Sequence, residues 1–344
     1  MTYIIGEIGQ NHNGSIDIAK LIIDAASKNI IEPLFKLNLK GIDAVKLTKR
    51  DLNFELSNSQ MKQPYRGSHS FGKTYYEHRK KLELSDEEHF ELYKYVKSKN
   101  IDFVETLCSP TCKSMFNLFM PDKLKVASRD LTNLPLIEML AETKTPIILS
   151  TGMSGKKELD EALNIITRHH SSISILHCVS EYPTHPRNVN LNTISFLKKN
   201  YPQFKIGYSD HTIGISASVS AVAMGSEIIE KHITLDRNMK GTDHSGSLGP
   251  DGIFRMVRDI RLIEMSLGKN DIFVSNDVHK SKIKLERSIA STRKLKKGDI
   301  IKENDLHLLS PGDGIKWTDR ELIIGKEVRQ NIEKNEIIYL KDVR

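Results

Sequence analysis

His211, in Ser209-Asp210-His211-Thr212, and His232, in Glu230-Lys231-His232-Ile233-Thr234, lie twenty-one residues apart, and each follows a short apolar run. Neutral imidazole is the commonest side-chain ligand for divalent transition metals. Two at neighbouring strand ends, with carboxylates close by, point to an open metal site. The competing reading of each is a buried histidine bonded to the backbone. The other apolar runs also finish on polar residues: Glu7, Lys46, Thr106, Lys125 followed by Ser128, Ser150, His177 and Ser209. Helix capping explains serines one at a time. It does not explain two lysines and a glutamate. A lysine buried without an anion is costly, so Lys46 and Lys125 imply an anionic ligand. Phosphate is the natural choice, with the hydroxyls of Thr106, Ser128, Ser150 and Ser209 as neutral hydrogen-bonding groups.

Such a ring of residues needs strands that all end at one place. Expected strands are Tyr3–Glu7, Ala44–Leu47, Asp102–Thr106, Lys123–Ala127, Pro146–Ser150, Ser174–His177, Lys205–Ser209 and Glu227–His232. Amphipathic stretches lie between them at Asp17–Lys28, Asp86–Lys99, Leu134–Glu142, Lys156–His169, Leu191–Lys199, Ser216–Met224 and Asp251–Leu267. β-α alternation with continuously apolar strands fits an α/β fold of the closed (β/α)8 TIM-barrel type. A doubly wound open sheet is the alternative, but no Gly-x-Gly-x-x-Gly follows the first strand. The barrel is expected over residues 1–267 and a polar linker over 268–282. Residues 283–344, punctuated by turns such as Lys297-Gly298-Asp299 and Pro311-Gly312-Asp313-Gly314, read as a small, mainly β module.

Composition excludes several classes. No run of eighteen apolar residues is present, so no membrane partner is expected. Met1 leads straight into a strand-like segment without a basic leader, which suits the cytoplasm. Three cysteines are too few for a disulfide framework, and Cys108 and Cys112 read as packing residues. The net charge is +7, with eight basic residues against two acidic ones between Lys282 and Lys302. Aromatic residues that would interleave a nucleic-acid surface are missing there, so no nucleic-acid partner is expected. An anionic small substrate suits the positive field.

The strand-end motifs resemble a known family. Glu7-Ile8-Gly9-Gln10-Asn11-His12-Asn13-Gly14, Ser150-Thr151-Gly152-Met153, Leu176-His177-Cys178, Tyr182-Pro183-Thr184, Gly207-Tyr208-Ser209-Asp210-His211-Thr212 and Glu230-Lys231-His232-Ile233-Thr234-Leu235-Asp236 are similar to the sialic acid (nonulosonate) synthases. Leu295-Lys296-Lys297-Gly298-Asp299 and Ile324-Gly325-Lys326 resemble the antifreeze-like (SAF) domain at the carboxyl end of that family. The resemblance implies metal-dependent condensation of phosphoenolpyruvate with an amino-sugar aldehyde to a nine-carbon 2-keto acid and phosphate. The acceptor would be N-acetylmannosamine-like, free or 6-phosphorylated. It implies a divalent metal, usually manganese with magnesium or cobalt as alternatives, on His211 and His232. Glu7, Lys46 and Lys125 would be catalytic. Lys46, Thr106, Lys125, Ser128, Ser150 and Ser209 would bind phosphoenolpyruvate. Asp130, Tyr182 and Asp243 would handle the acceptor. A homodimer with swapped C-terminal domains is also implied.

Some features depart from that pattern. Thr48 stands where relatives carry glutamine, and Ser310 stands where bacterial members place an arginine. The segment Asn29–Gly41 inserts about ten residues before the second strand. All three are expected to touch acceptor recognition. Lys73, His78 and Arg79, in a stretch resembling animal-type members, are candidates for a second phosphate; an ordinary solvated loop is the other reading. His12 is expected to stabilise the first loop, and His177 to be either a satisfied wall residue or a metal neighbour. Legionaminate- and pseudaminate-type synthases remain open beside sialate. Synthases of seven- or eight-carbon 3-deoxy-2-keto acids lack the appended module. The non-enzymatic alternative is a catalytically silent barrel that binds phosphoenolpyruvate and sugar.

Overall fold

A computed structural model describes residues 1–344 as two compact units, Met1–Gly268 and Lys269–Arg344. In the first, eight parallel strands close into a barrel: β1 (Tyr3–Gly9), β2 (Ala44–Lys49), β3 (Asp102–Leu107), β4 (Lys123–Val126), β5 (Ile147–Ser150), β6 (Ile173–Cys178), β7 (Lys205–Asp210) and β8 (Ile228–His232). Every expected strand is present, with its ends moved by a residue or two. The outer layer contains α1 (Ile16–Ala26), α2 (Asp86–Ser98), α3 (Leu134–Glu142), α4 (Lys156–Ile166), α5 (Asn192–Asn200), α6 (Ser216–Ala223) and α7 (Pro250–Ser266). Between β3 and β4 a 3-10 segment, Pro110–Asn117, stands in place of a helix. Serine caps set two helix starts: Ser15 before α1, and Ser85 with Glu88 in a reciprocal capping box before α2.

Alternation along the strands builds the interior in tiers. Ile5, Ala44, Val104, Ile148, Leu176 and Ile228 form a buried apolar cluster inside the barrel. Two residues further along the same six strands stand Glu7, Lys46, Thr106, Ser150, Cys178 and Glu230, which line the cavity above. The apolar tier is thus the floor, and the polar tier rests on it. The larger hydrophobic core lies between the strands and the helices, where outward residues such as Ile4, Val45, Phe103, Leu149 and Ile229 are buried.

The insertion Asn29–Gly41 is a two-stranded antiparallel hairpin, Ile30–Glu32 with Leu37–Leu39. Its placement corrects the expectation that it touches the acceptor. A helix-to-strand connection returns the chain to the amino ends of the strands. Asn38, Leu39 and Lys40 accordingly line a depression of about 1170 Å³ together with Tyr3, Lys123, Ile173, Lys205 and Ile228, the first residues of five strands. That face is opposite the polar tier. The hairpin exposes Ile31, Leu34 and Phe35. Replacing Leu34 and Phe35 by serine is therefore expected to leave turnover and both substrate KM values unchanged in a steady-state assay. Stability should move by no more than about 0.5 kcal/mol.

The second unit packs a small core of Ile289, Leu295, Ile301, Leu306, Ile315, Ile323, Val328, Ile332, Ile338 and Val343. Its antiparallel pair, β9 (Ser288–Ser291) with β10 (Leu306–Leu309), is extended by isolated bridges. The expected linker is shorter than read, because residues 276–285 form a 3-10 turn and a helix, Asn276–Val278 and His279–Leu285. Ser310 is engaged inside this unit: its hydroxyl accepts from Arg287 Nη1 and donates to the Leu285 carbonyl, both at 3.0 Å.

Candidate active site

At the carboxyl ends of the strands lies a cavity of about 330 Å³. Glu7, Lys46, Thr106, Lys125, Ser128, Ser150, Ser209, His211, His232, Tyr182 and Asp243 all line it. Eleven of the twelve residues expected from sequence thus meet in one place. Asp130 does not. It is buried behind Arg129, whose Nε lies 3.2 Å from its carboxylate, and burial pushes its carboxyl upward despite that guanidinium.

The floor of the cavity is an ionic cluster. Lys46 Nζ lies 2.8 Å from Glu7 Oε2 and 3.9 Å from Glu230 Oε1, and donates to Thr106 Oγ1 at 3.3 Å. Lys125 Nζ donates to Ser150 Oγ at 2.6 Å and lies 3.8 Å from Glu230 Oε1, which also accepts from Ser209 Oγ at 3.0 Å. All four ionisable residues are at most 5% exposed. Burial pushes the Glu7 carboxyl up to about 7, with Lys46 pulling the other way and Glu230 adding to the rise. Burial would raise Glu230 as well, but Lys125 and Lys46 outweigh it and hold that carboxyl down at about 2.

Glu230 was missed from sequence, and it changes the argument for an anion. Each buried lysine already has a carboxylate, so lysine burial alone does not demand a phosphate. The signal was available: Glu230 is two residues before His232 on β8, so both side chains point inward. Its Oε2 is buried without a hydrogen-bond partner and faces the cavity, as a group awaiting a ligand or water would be.

His211 and His232 stand above this floor with ring centroids 5.5 Å apart. His211 Nδ1 lies 2.8 Å from the Val179 carbonyl, which can only accept, so Nδ1 is the donor and Nε2 is the nitrogen left for a ligand. His232 Nδ1 is buried with no partner, and burial pulls its imidazole toward the neutral, ligating form. Two imidazoles, each with a ring nitrogen not engaged by the protein, fit a divalent cation. No set of three or more His, Cys, Asp or Glu side chains is arranged to hold one, so water and substrate would fill the remaining positions. Tyr182 packs against both rings, at 4.0 Å from His211 and 5.8 Å from His232.

The remaining expectations divide. His177 is not on the cavity wall; its Nε2 donates to the Val189 carbonyl at 2.7 Å and its ring stacks on Tyr208. Since a carbonyl only accepts, His177 is the donor and its ring is satisfied there. His12 accepts from Gly14 N at 3.0 Å and holds the first loop. Asn11 ties that loop to the Ile233 carbonyl and to Ser247 Oγ, both at 2.9 Å. Gly9 lets the loop turn inward: its φ is +54°, and a Cβ there would come within 3.1 Å of the Glu7 carboxylate. Thr48 lines the cavity. Among Lys73, His78 and Arg79, only Arg79 reaches the wall. His78 is buried, stacked on Tyr65 at 4.2 Å, and accepts from Phe71 N.

A closed barrel with its polar residues at the carboxyl ends defines a (β/α)8 enzyme. The NeuB family matches residues 37–271 and the SAF domain matches residues 286–344. The chain is 33% identical to human N-acetylneuraminate-9-phosphate synthase, over 98% of this chain and 91% of that one. It is 34% identical to N,N'-diacetyllegionaminic acid synthase of Campylobacter jejuni, over 98% of both. The crystal structure of a sialic acid synthetase from Leptospira borgpetersenii, in complex with citrate, superposes with a TM-score of 0.67 at 30% identity, covering 81% of this chain and 90% of that chain. The chain belongs to the NeuB family. It is a nonulosonate synthase, a phosphoenolpyruvate-dependent transferase that forms a carbon–carbon bond.

Proposed function

We propose that this synthase condenses phosphoenolpyruvate with the open-chain aldehyde of an N-acetylmannosamine-like amino sugar, giving a nine-carbon 2-keto acid and phosphate. The observation that carries the reading is the ionic floor beneath the histidine pair, in one cavity. Lys46 and Lys125 hold the donor's negative groups, and Thr106, Ser128, Ser150 and Ser209 supply neutral hydrogen bonds. Orientation and preorganised charge provide much of the rate. Carbon 3 of the donor bonds to the aldehyde carbon, water adds at carbon 2, and the C–O bond to phosphate breaks. Glu7, with its carboxyl pushed up to about 7, can hold or release the proton that passes between water and the aldehyde oxygen. His211 and His232 are the residues that would hold a divalent ion, manganese in this reading. Bound there, such an ion supplies Lewis acidity toward the carbonyl oxygen. A homodimer with exchanged C-terminal domains, as the resemblance of the sequence motifs implies, completes the proposal.

The acceptor is identified by product mass. Incubating the enzyme with manganese, phosphoenolpyruvate and the hexosamine precursors of sialate, legionaminate and pseudaminate is expected to yield one nine-carbon keto acid in clear excess. No keto acid from any of the three hexosamines, or phosphate released without a new keto acid, would contradict the assignment.

A further inference from the structure

Asp210 and Lys231 each immediately precede one of the two histidines, and neither lines the cavity. They are register partners where β7 pairs with β8. Alternation turns Ser209 and Glu230 inward, so the next residue on each strand points out toward the helices. There Lys231 Nζ lies 2.9 Å from Asp210 Oδ2, and both side chains are fully shielded from solvent.

Most of the pair's other bonds close around His211. Asp210 Oδ1 accepts from the Thr212 amide at 2.8 Å and from the Tyr208 hydroxyl at 3.2 Å. Asp210 Oδ2 also accepts from Ser218 Oγ of α6 at 2.6 Å. Lys231 Nζ donates in addition to the Thr212 carbonyl. The two side chains thus grip both backbone groups of the residue that follows His211. His211 itself is held at its ring by the Val179 carbonyl and at its own carbonyl by the Thr184 amide, 2.9 Å away. On the other strand, the Leu248 amide donates to the His232 carbonyl at 2.9 Å. Buried polar bonds therefore run without a break from the turn at His211 to the residue that carries His232.

Stability does not account for this pair. Two charges taken fully out of water lose solvation that their attraction only roughly offsets, and well-packed apolar residues of similar volume often do as well or better. What apolar residues cannot supply is direction. The pair gives the Thr212 carbonyl a donor, the Thr212 amide an acceptor, and the two strands a bond at one fixed register.

We propose that Asp210 and Lys231 are positioning residues for the cation site. Their buried bond sets the separation and aim of His211 and His232, whose ring centroids stand 5.5 Å apart. The inference rests on the reading of that histidine pair as the holder of a divalent ion. Neither side chain touches ion or substrate; each acts through the histidine that follows it. Because no third side chain is arranged to complete a ligand set, a shift of either strand end has nothing to absorb it.

Manganese alone is the probe, added to full-length enzyme without either substrate and followed by the resonance signal of the free ion. Asp210→Asn keeps the volume and an oxygen for the Thr212 amide, but loses the charge and the second acceptor that hold Lys231. It is expected to weaken manganese about ten- to hundredfold, the loss usual for partners that orient metal ligands. Asp210→Leu combined with Lys231→Met replaces the pair by apolar side chains. Its urea midpoint is expected to match or exceed that of the wild type, while manganese stays at least about tenfold weaker. Phosphoenolpyruvate binding, measured by calorimetry without metal, should be unchanged in both, because the floor residues keep their places. A pair that merely stabilised the barrel would lose and regain manganese affinity in step with the urea midpoint. Wild-type manganese affinity in Asp210→Asn or in the apolar double variant overturns the proposal, as does a loss of phosphoenolpyruvate binding equal to the loss of manganese. His232→Ala separates the two claims. If that variant also keeps wild-type affinity, the histidine pair is not the cation site; if it alone loses affinity, the pair is the site and Asp210 and Lys231 do not position it.

Discussion

Lys125→Met is expected to lower kcat/KM for phosphoenolpyruvate by at least about a thousandfold, a loss of the size seen when a charge-stabilising donor is removed from an enclosed site. Lys125 is 3% exposed, donates to Ser150 at 2.6 Å and faces Glu230 at 3.8 Å. Removing its charge also strips Glu230 of one of two cations, the other being Lys46 at 3.9 Å. Breaking a buried pair from one side costs about 3–5 kcal/mol, so the single variant should be measurably less stable to urea. Glu230→Gln in the same chain removes the stranded charge and should recover most of that stability. It should not recover catalysis. A double variant that regains activity together with stability would mean that Lys125 only balances Glu230.

His232→Ala is the second large effect. Two imidazoles are all that the protein offers a cation here, so losing one should weaken manganese binding by more than about a hundredfold. That exceeds the 10- to 100-fold usual for outer partners of a metal site. Free manganese can be followed directly by its paramagnetic resonance signal, independently of activity. Wild-type manganese affinity in this variant would remove the ion from the histidine pair. His177→Gln is the contrasting case. Its ring faces the helix layer and bonds the Val189 carbonyl, so it should cost stability by about 1–3 kcal/mol and leave manganese affinity intact.

Much of this arrangement is legible in the chain because a barrel strand encodes its own tier. Ile5 then Glu7, Ala44 then Lys46, Val104 then Thr106 and Ile148 then Ser150 each step from apolar floor to polar ring in two residues. Alternation within continuously apolar strands made the strand ends recognisable, and the closed order followed from β-α spacing. Glu230 escaped because only the last polar residue of its run was read as inward, although alternation back from His232 puts Glu230 on the same face and turns Lys231 outward, where it pairs with Asp210 at 2.9 Å. Arg50 and Arg129, which also line the cavity, escaped for another reason. Each occupies a connection beyond a strand, where direction depends on a tertiary partner, here Glu55, contributed by the short helix Leu52–Glu55. The same dependence displaced Asp130, which the chain order alone places beside Ser128 and which Arg129 screens from the cavity. The hairpin was misplaced because its departure from the family's short turn was read as bearing on the acceptor; the rule that helix-to-strand connections return to the amino ends of the strands would have located it.

The central claim is that Lys46, Lys125, Glu7 and the histidine pair together couple phosphate release to carbon–carbon bond formation. Its most direct test is a quenched-flow time course that counts phosphate and 2-keto acid from phosphoenolpyruvate, manganese and the amino sugar selected by product mass. Equimolar phosphate and keto acid are expected to rise together, and neither should form when any one of the three components is left out. Phosphate released without sugar, or no phosphate and no keto acid with all three components present, would contradict it.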